Sequence, residues 1–147
     1  MTTTIDLATV TDSISNLVIS GVTIKDIDQI PDIVGLATAT LYPKRDGLIT
    51  NYKTERTDVT GQNLNVYYTL NYQYFHCAIG NTGFGDFPAL MTKVALIGAA
   101  LASDASWAGC VDHSDPRFGI MGALKDGAGN TFWGAEVSIN IMQFLEV

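Results

Sequence analysis

Residues 63–77, NLNVYYTLNYQYFHC, alternate strictly: Leu64, Val66, Tyr68, Leu70, Tyr72 and Tyr74 fall on every second position, with Asn65, Thr69, Asn71 and Gln73 between them. Successive side chains of a strand point to opposite faces, so the pattern predicts one long strand with a core face through Leu64, Val66, Tyr68, Leu70 and Tyr72. Its other face carries Asn65, Tyr67, Thr69, Asn71, Gln73 and Phe75. That face is polar and aromatic but uncharged, which suits contact with another surface. Residues 48–57 alternate Thr50, Tyr52, Thr54 and Arg56 against Asn51, Lys53 and Glu55, which predicts a strand with neither face in a core. Thr60-Gly61-Gln62-Asn63 turns the polar strand into the tyrosine strand, giving an extended β-hairpin.

Helical periodicity appears twice. Val10, Ile14, Leu17 and Val18 mark the inward stripe of a helix over residues 5–20, with Thr4 or Asp6 as N-cap and Gly21 as its left-handed stop. Leu90, Met91, Val94, Ile97 and Leu101 mark the buried face of a second helix, capped by Asp86 and tolerating Pro88 in its first turn. Residues 22–31 show no clear period. Residues 34–42 read as a strand that ends at Pro43, with Ala37 and Ala39 small enough for a helix to pack closely. A glycine-rich loop occupies residues 80–85, and an irregular section follows Asp104 around Trp107, Gly109 and Pro116. Residues 117–124 and 131–145 then form a hairpin about 126–130, with Trp133, Ala135, Val137, Ile139 and Ile141 facing inward. The order α, β, β, β, α, β, β predicts an α+β fold, a single mainly antiparallel β-sheet packed against two α-helices. A chain of 147 residues suits one domain.

Composition sharpens this picture. Charged residues make up only 16 % of the chain against 47 % hydrophobic ones, which favours a surface partly covered by other subunits. The net charge of −7 argues against nucleic-acid binding through a basic groove, while leaving room for a channel past which DNA slides. No basic n-region precedes an apolar run, and the longest apolar run, 94–102, is too short for a membrane span; a soluble, non-exported chain is expected. Cys77 and Cys110 are read as reduced thiols.

Candidate chemistry is sparse. His76 and Cys77 with Cys110 and His113 offer zinc's preferred ligand types, but adjacent strand residues point to opposite faces unless a bulge intervenes. Asp112, His113 and Asp115 beside Cys110 contain an acid, a base and a thiol, yet DHSDP is equally a turn whose side chains bond their own backbone. GNTGFGD lacks the Lys-Ser or Lys-Thr of a phosphate-binding loop. No catalytic, cofactor or metal site is predicted. Lys44-Arg45 with Lys53 and Arg56 form a small basic cluster, either a solvated hairpin or a complement to the acidic surface of a neighbouring subunit.

The segments VTDSISNLVISG, IVGLATATLYP, ITNYKTERTDVTGQNLNVYYTLNYQYF, FPALMTKVALIGAAL and NTFWGAEVSINIMQFLEV follow an outline of N-terminal helix, strand ending in Pro, extended polar hairpin, helix on the sheet and final strand opening on an aromatic. In that order the chain resembles the tail-terminator proteins of long-tailed bacteriophages. The resemblance covers nearly the whole chain but carries no invariant motif, and tail-completion and head-completion proteins of the phage neck share the pattern. It implies a structural virion protein, assembled in the host cytoplasm, that forms a homo-hexameric ring at the head-proximal end of the tail tube. Such a ring binds the tail tube protein, ends tube growth and presents a surface to the head connector or adaptor, while DNA passes through without specific binding. Tyr52, Lys53, Glu55, Arg56, Tyr67, Asn71 and Gln73 are the expected interface residues. A rival class is a small cytosolic enzyme or ligand-binding domain whose pocket, between sheet and helices, would be lined by Tyr68, Tyr72, His76 and His113.

Overall fold

The computed structural model describes residues 6–29, 39–57, 63–80, 85–103, 107 and 111–146. Along the chain come α1 (Leu7–Ser15), β1 (Thr23–Ile24), a 3-10 turn (Ile27–Gln29), β2 (Thr40–Pro43), β3 (Ile49–Arg56), β4 (Leu64–Ala78), α2 (Phe87–Ala102), β5 (His113–Lys125) and β6 (Thr131–Leu145). This is an α+β fold in which one six-stranded, mainly antiparallel sheet packs against two helices. Thr4, Pro31, residues 34–38 with Ala37, the turn at 60–62, residues 81–84 of the glycine-rich loop, Asp104, Gly109 and Cys110 lie outside the described residues.

β4 is the spine. Its fifteen residues pair along one edge with β6, from Leu64 opposite Leu145 to Ala78 opposite Phe132. The opposite edge is shared end to end: β2 pairs with Tyr72 to Phe75 and β3 with Leu64 to Leu70. β5 flanks β6, and β1 adds a short parallel pair to β2.

The alternation anticipated in β4 and β6 sets the core. Val66, Tyr68, Leu70, Tyr72 and Tyr74 are buried on the side that faces the helices, opposite Ala135, Val137, Ile139 and Ile141 of β6. Leu64 is half-buried at the end of this row. On α2, Leu90, Val94, Ile97 and Leu101 are buried, each contributing about 1.5–3 kcal/mol as apolar surface leaves water. Gly98 lets the helix sit against the Phe118 ring of β5. The buried Tyr68 hydroxyl donates to Gln143 Oε1 at 2.9 Å, and burial pushes its pKa up to about 12. A second, smaller apolar cluster, Tyr42, Phe75, Leu124 and Phe132, closes one end of the opposite face.

Three expectations need correction. Helix α1 stops at Ser15 rather than running to residue 20, and Val18 is 94 % exposed. Ser13, Ser15 and Asn16 are weak helix formers, and the chain instead brings Ile19 against Val22 through a turn in which Gly21 takes φ +72. Gly21 therefore closes a turn and not a helix; Asp6 is the N-cap, its carboxylate accepting from the Thr9 amide and hydroxyl. Met91 is 42 % exposed, because the Leu90, Val94, Ile97 and Leu101 row turns it outward. Finally, Pro116 belongs to β5, which begins at His113 and not at Arg117. β2 ends at Pro43, as expected.

Candidate interaction surface

β3 is the unusual element. All eight of its residues are exposed, and among the described residues its pairing is confined to one edge, against β4. Between Thr50 and Lys53 the register shifts by a bulge in which Asn51 takes φ +56, a conformation Asn tolerates better than most residues. Tyr52 lies within this bulge, stacked on Tyr68 at 6.3 Å and 29° but still 57 % exposed. Lys53 sits 5.0 Å over the ring of Tyr67.

The bulge sets Thr50, opposite Thr69, on the other face from Tyr52, and beyond it the arm's side chains alternate. Thr54 opposes Val66 and Arg56 opposes Leu64, so with Tyr52 they share the helix side of the sheet. Lys53 opposes Tyr67 and Glu55 opposes Asn65, on the other side. Of the seven residues predicted for the interface, Tyr52 and Arg56 thus occupy one face, and Lys53, Glu55, Tyr67, Asn71 and Gln73 the other. Asn71 is an internal tie: its amide donates to Gly47 O and Thr50 Oγ1 at 2.9 Å each, and its carbonyl accepts from Ser138 Oγ at 2.9 Å. Next to it the Thr69 hydroxyl donates to Asn140 Oδ1 at 2.8 Å. The uncharged face foreseen for β4 is therefore a cross-strand ladder of short polar side chains that bond one another.

The basic cluster separates. Pro43 pairs with Tyr72 and Arg56 with Leu64, so Lys44-Arg45 and Arg56 lie about eight strand residues, or ~26 Å, apart. Lys44 and Arg45 instead meet Lys125, distant in sequence, around a pocket of about 140 Å³ that also takes in Tyr42, Gln73 and Phe75. Two of these cations already lie beside carboxylates, Lys44 with Glu136 at 3.6 Å and Arg45 with Asp46 at 3.7 Å. Asp126 accepts from the amides of Ala128 and Asn130 in its own turn. The pocket's charges are balanced within the subunit.

A β-bulge between Phe75 and Cys77 turns both His76 and Cys77 toward the helix side, which adjacent residues of a regular strand cannot do. His76 Nδ1 meets the Tyr74 hydroxyl at 2.9 Å. Burial holds the His76 pKa below its ordinary value, with Asp86 opposing and Lys93 adding to the shift. Burial, and then the Asp86 carboxylate, push the Cys77 thiol up, which makes it a poor nucleophile. His113 opposes Met142 while Cys77 opposes Trp133, nine residues along β6 and about 30 Å away. Among the described residues no group of three or more His, Cys, Asp or Glu side chains could hold a metal ion. Tyr68 and Tyr72 are packed in the core and His113 lies exposed on the far face, so these three and His76 do not line one cavity.

One surface escaped the sequence reading. On α2, Ala89, Met91, Thr92, Ala95, Leu96, Ala99 and Ala102 are exposed, and the one charged residue of the helix, Lys93, turns aside to donate to Ser20 O at 3.0 Å. The signal was available: residues 87–102 hold a single charge, too few for a helix with one solvated face. Beside it, Met121 of β5 opposes Ala135 on the same side of the sheet and is 37 % exposed, and the neighbouring Ile120 is 63 % exposed. No helix among the described residues is long and apolar enough to cross a membrane. No known family model and no curated protein matches the chain.

Proposed function

We propose that this chain is a structural subunit of a bacteriophage tail end: a homo-hexameric ring, of tail-terminator type, that caps the tail tube and joins it to the head. The observation that carries the reading is β3, a strand that buries none of its residues in its own subunit. Holding eight residues extended costs about 1–2 kcal/mol each in backbone entropy. Six paired positions against β4 return a net ~1 kcal/mol per hydrogen bond, so the arm is marginal until a neighbouring subunit covers it. The low charge density and the uncharged outer face of α2 support the same reading. An acidic balance suits a channel through which DNA passes without adhering. In this role the protein has no catalytic step, and its partners are its own copies, the tube protein and the head connector.

Native mass spectrometry and negative-stain microscopy of the isolated protein test this directly. The expected particle is a ring of about 95 kDa, six times 15.8 kDa, that binds the ends of tail tubes. A chain that stays monomeric at high concentration and ignores tubes overturns the proposal, and rings that bind the portal side instead identify a head-tail adaptor. Reversing charge at Lys53 and Arg56 should weaken ring formation while circular dichroism stays unchanged, because exposed arm charges tune association more than folding.

A further inference from the structure

We infer that the arm of one subunit docks on the outer face of α2 of the next copy, Tyr52 and its neighbours lying across the row Ala95, Leu96 and Ala99. The inference rests on the ring reading and names its contact. A closed ring is built from a heterologous contact, in which two different patches of the same subunit meet around a rotation axis. Among the described residues, the large apolar side chains left exposed include two such patches. Ile49 and Tyr52 lie on β3, at the edge of the sheet, and Met91 and Leu96 lie on α2; Ile120 and Met121 on β5 and Val18 beyond α1 are exposed elsewhere. The arm offers an aromatic with only one ring face occupied, and the helix offers alanines that leave space between Met91 and Leu96. Aromatic anchors seated among small residues are the usual centre of an interface.

Charge selects a second copy as the occupant. Each subunit carries −7 overall, so most ways of bringing two copies together place like charges face to face. The arm is the exception, with Lys53 and Arg56 against Glu55, a net of +1. The helix face contributes no carboxylate from Phe87 to Ala102, so nothing charged on it would be buried unpaired. A cationic arm is attracted at long range to an acidic body.

Disulfide trapping tests the contact. With Cys77 and Cys110 replaced by Ser, a Tyr52→Cys chain is mixed with an Ala95→Cys chain and oxidised gently; Thr54→Cys serves as a second arm position in which the Tyr52–Tyr68 stack is intact. The expected result is a covalent heterodimer from both arm positions and none from Asn140→Cys, which is exposed on the opposite sheet face. Leu96→Glu should raise the concentration needed for half-assembly by about tenfold or more. Rings that form normally, yet give no more cross-link at Ala95 than at Asn140 and tolerate Leu96→Glu, overturn this contact and leave the ring reading standing. A protein that forms no ring at all removes both.

Discussion

Replacing Asn71 by Ala separates a structural tie from a contact residue. The change removes three side-chain hydrogen bonds, to Gly47 O, Thr50 Oγ1 and Ser138 Oγ, and leaves the backbone pairings of Asn71 with Leu48 and Lys44 in place. At a net ~1 kcal/mol each the ceiling is about 3 kcal/mol. Two of the three bonds are exposed, where water replaces the lost partner, so we expect a loss of about 2 kcal/mol. For a chain of this size that corresponds to a fall in Tm of roughly 4–8 °C. Urea unfolding, followed by circular dichroism below the concentration at which the subunit assembles, measures it; the midpoint should move with an unchanged m value. Asn140→Ala, which loses the single bond from Thr69, should cost less than half as much. An unchanged midpoint for Asn71→Ala, with assembly impaired, would show that Asn71 faces a neighbour and that its internal bonds contribute nothing.

Other outcomes follow from the core and from its titrating edge. Tyr68→Phe and Gln143→Leu should each cost about 1–3 kcal/mol by removing one side of a buried hydrogen bond, and the double variant should cost less than their sum; strict additivity in denaturant unfolding would deny the bond. Val137→Asp places an unpaired carboxylate at a fully buried position and should abolish folding, so a soluble, cooperatively melting variant would contradict the facing of β6. His76 has a depressed pKa in the folded chain, so the unfolded chain binds the proton more readily. Its contribution is complete above the ordinary value of 6.5 and is lost as pH falls below it, and His76→Gln should flatten the stability profile there. A profile equally steep in that variant would assign the dependence to other groups.

Periodicity made the two long strands and the buried row of α2 legible because both are repeated over many residues. The alternation of β4 and β6 names their core side chains directly, and the near-total polarity of β3 announced its exposure. What escaped has a common physical character: it depends on a single backbone irregularity or on contacts distant in sequence. The bulge after Phe75 that brings His76 and Cys77 to one side, and the bulge at Asn51 that parts Thr50 from Tyr52, Thr54 and Arg56, each reverse facing without any change in residue pattern. Lys125 joins Lys44 and Arg45 only through the β5–β6 hairpin. Val18 continues the apolar spacing of α1, but the helix has already ended at weak formers. The outer face of α2 was legible in principle, since its near absence of charge is a property of the sequence.

The central claim is that β3 is exposed in the subunit and covered in the assembly, and hydrogen exchange read on peptides spanning Ile49–Arg56 tests it most directly. Compared below and above the assembly concentration, those amides should slow together with residues 95–99 of α2, while the already buried β6 changes little. An assembled particle in which the β3 peptides exchange as fast as in the free subunit would contradict the claim.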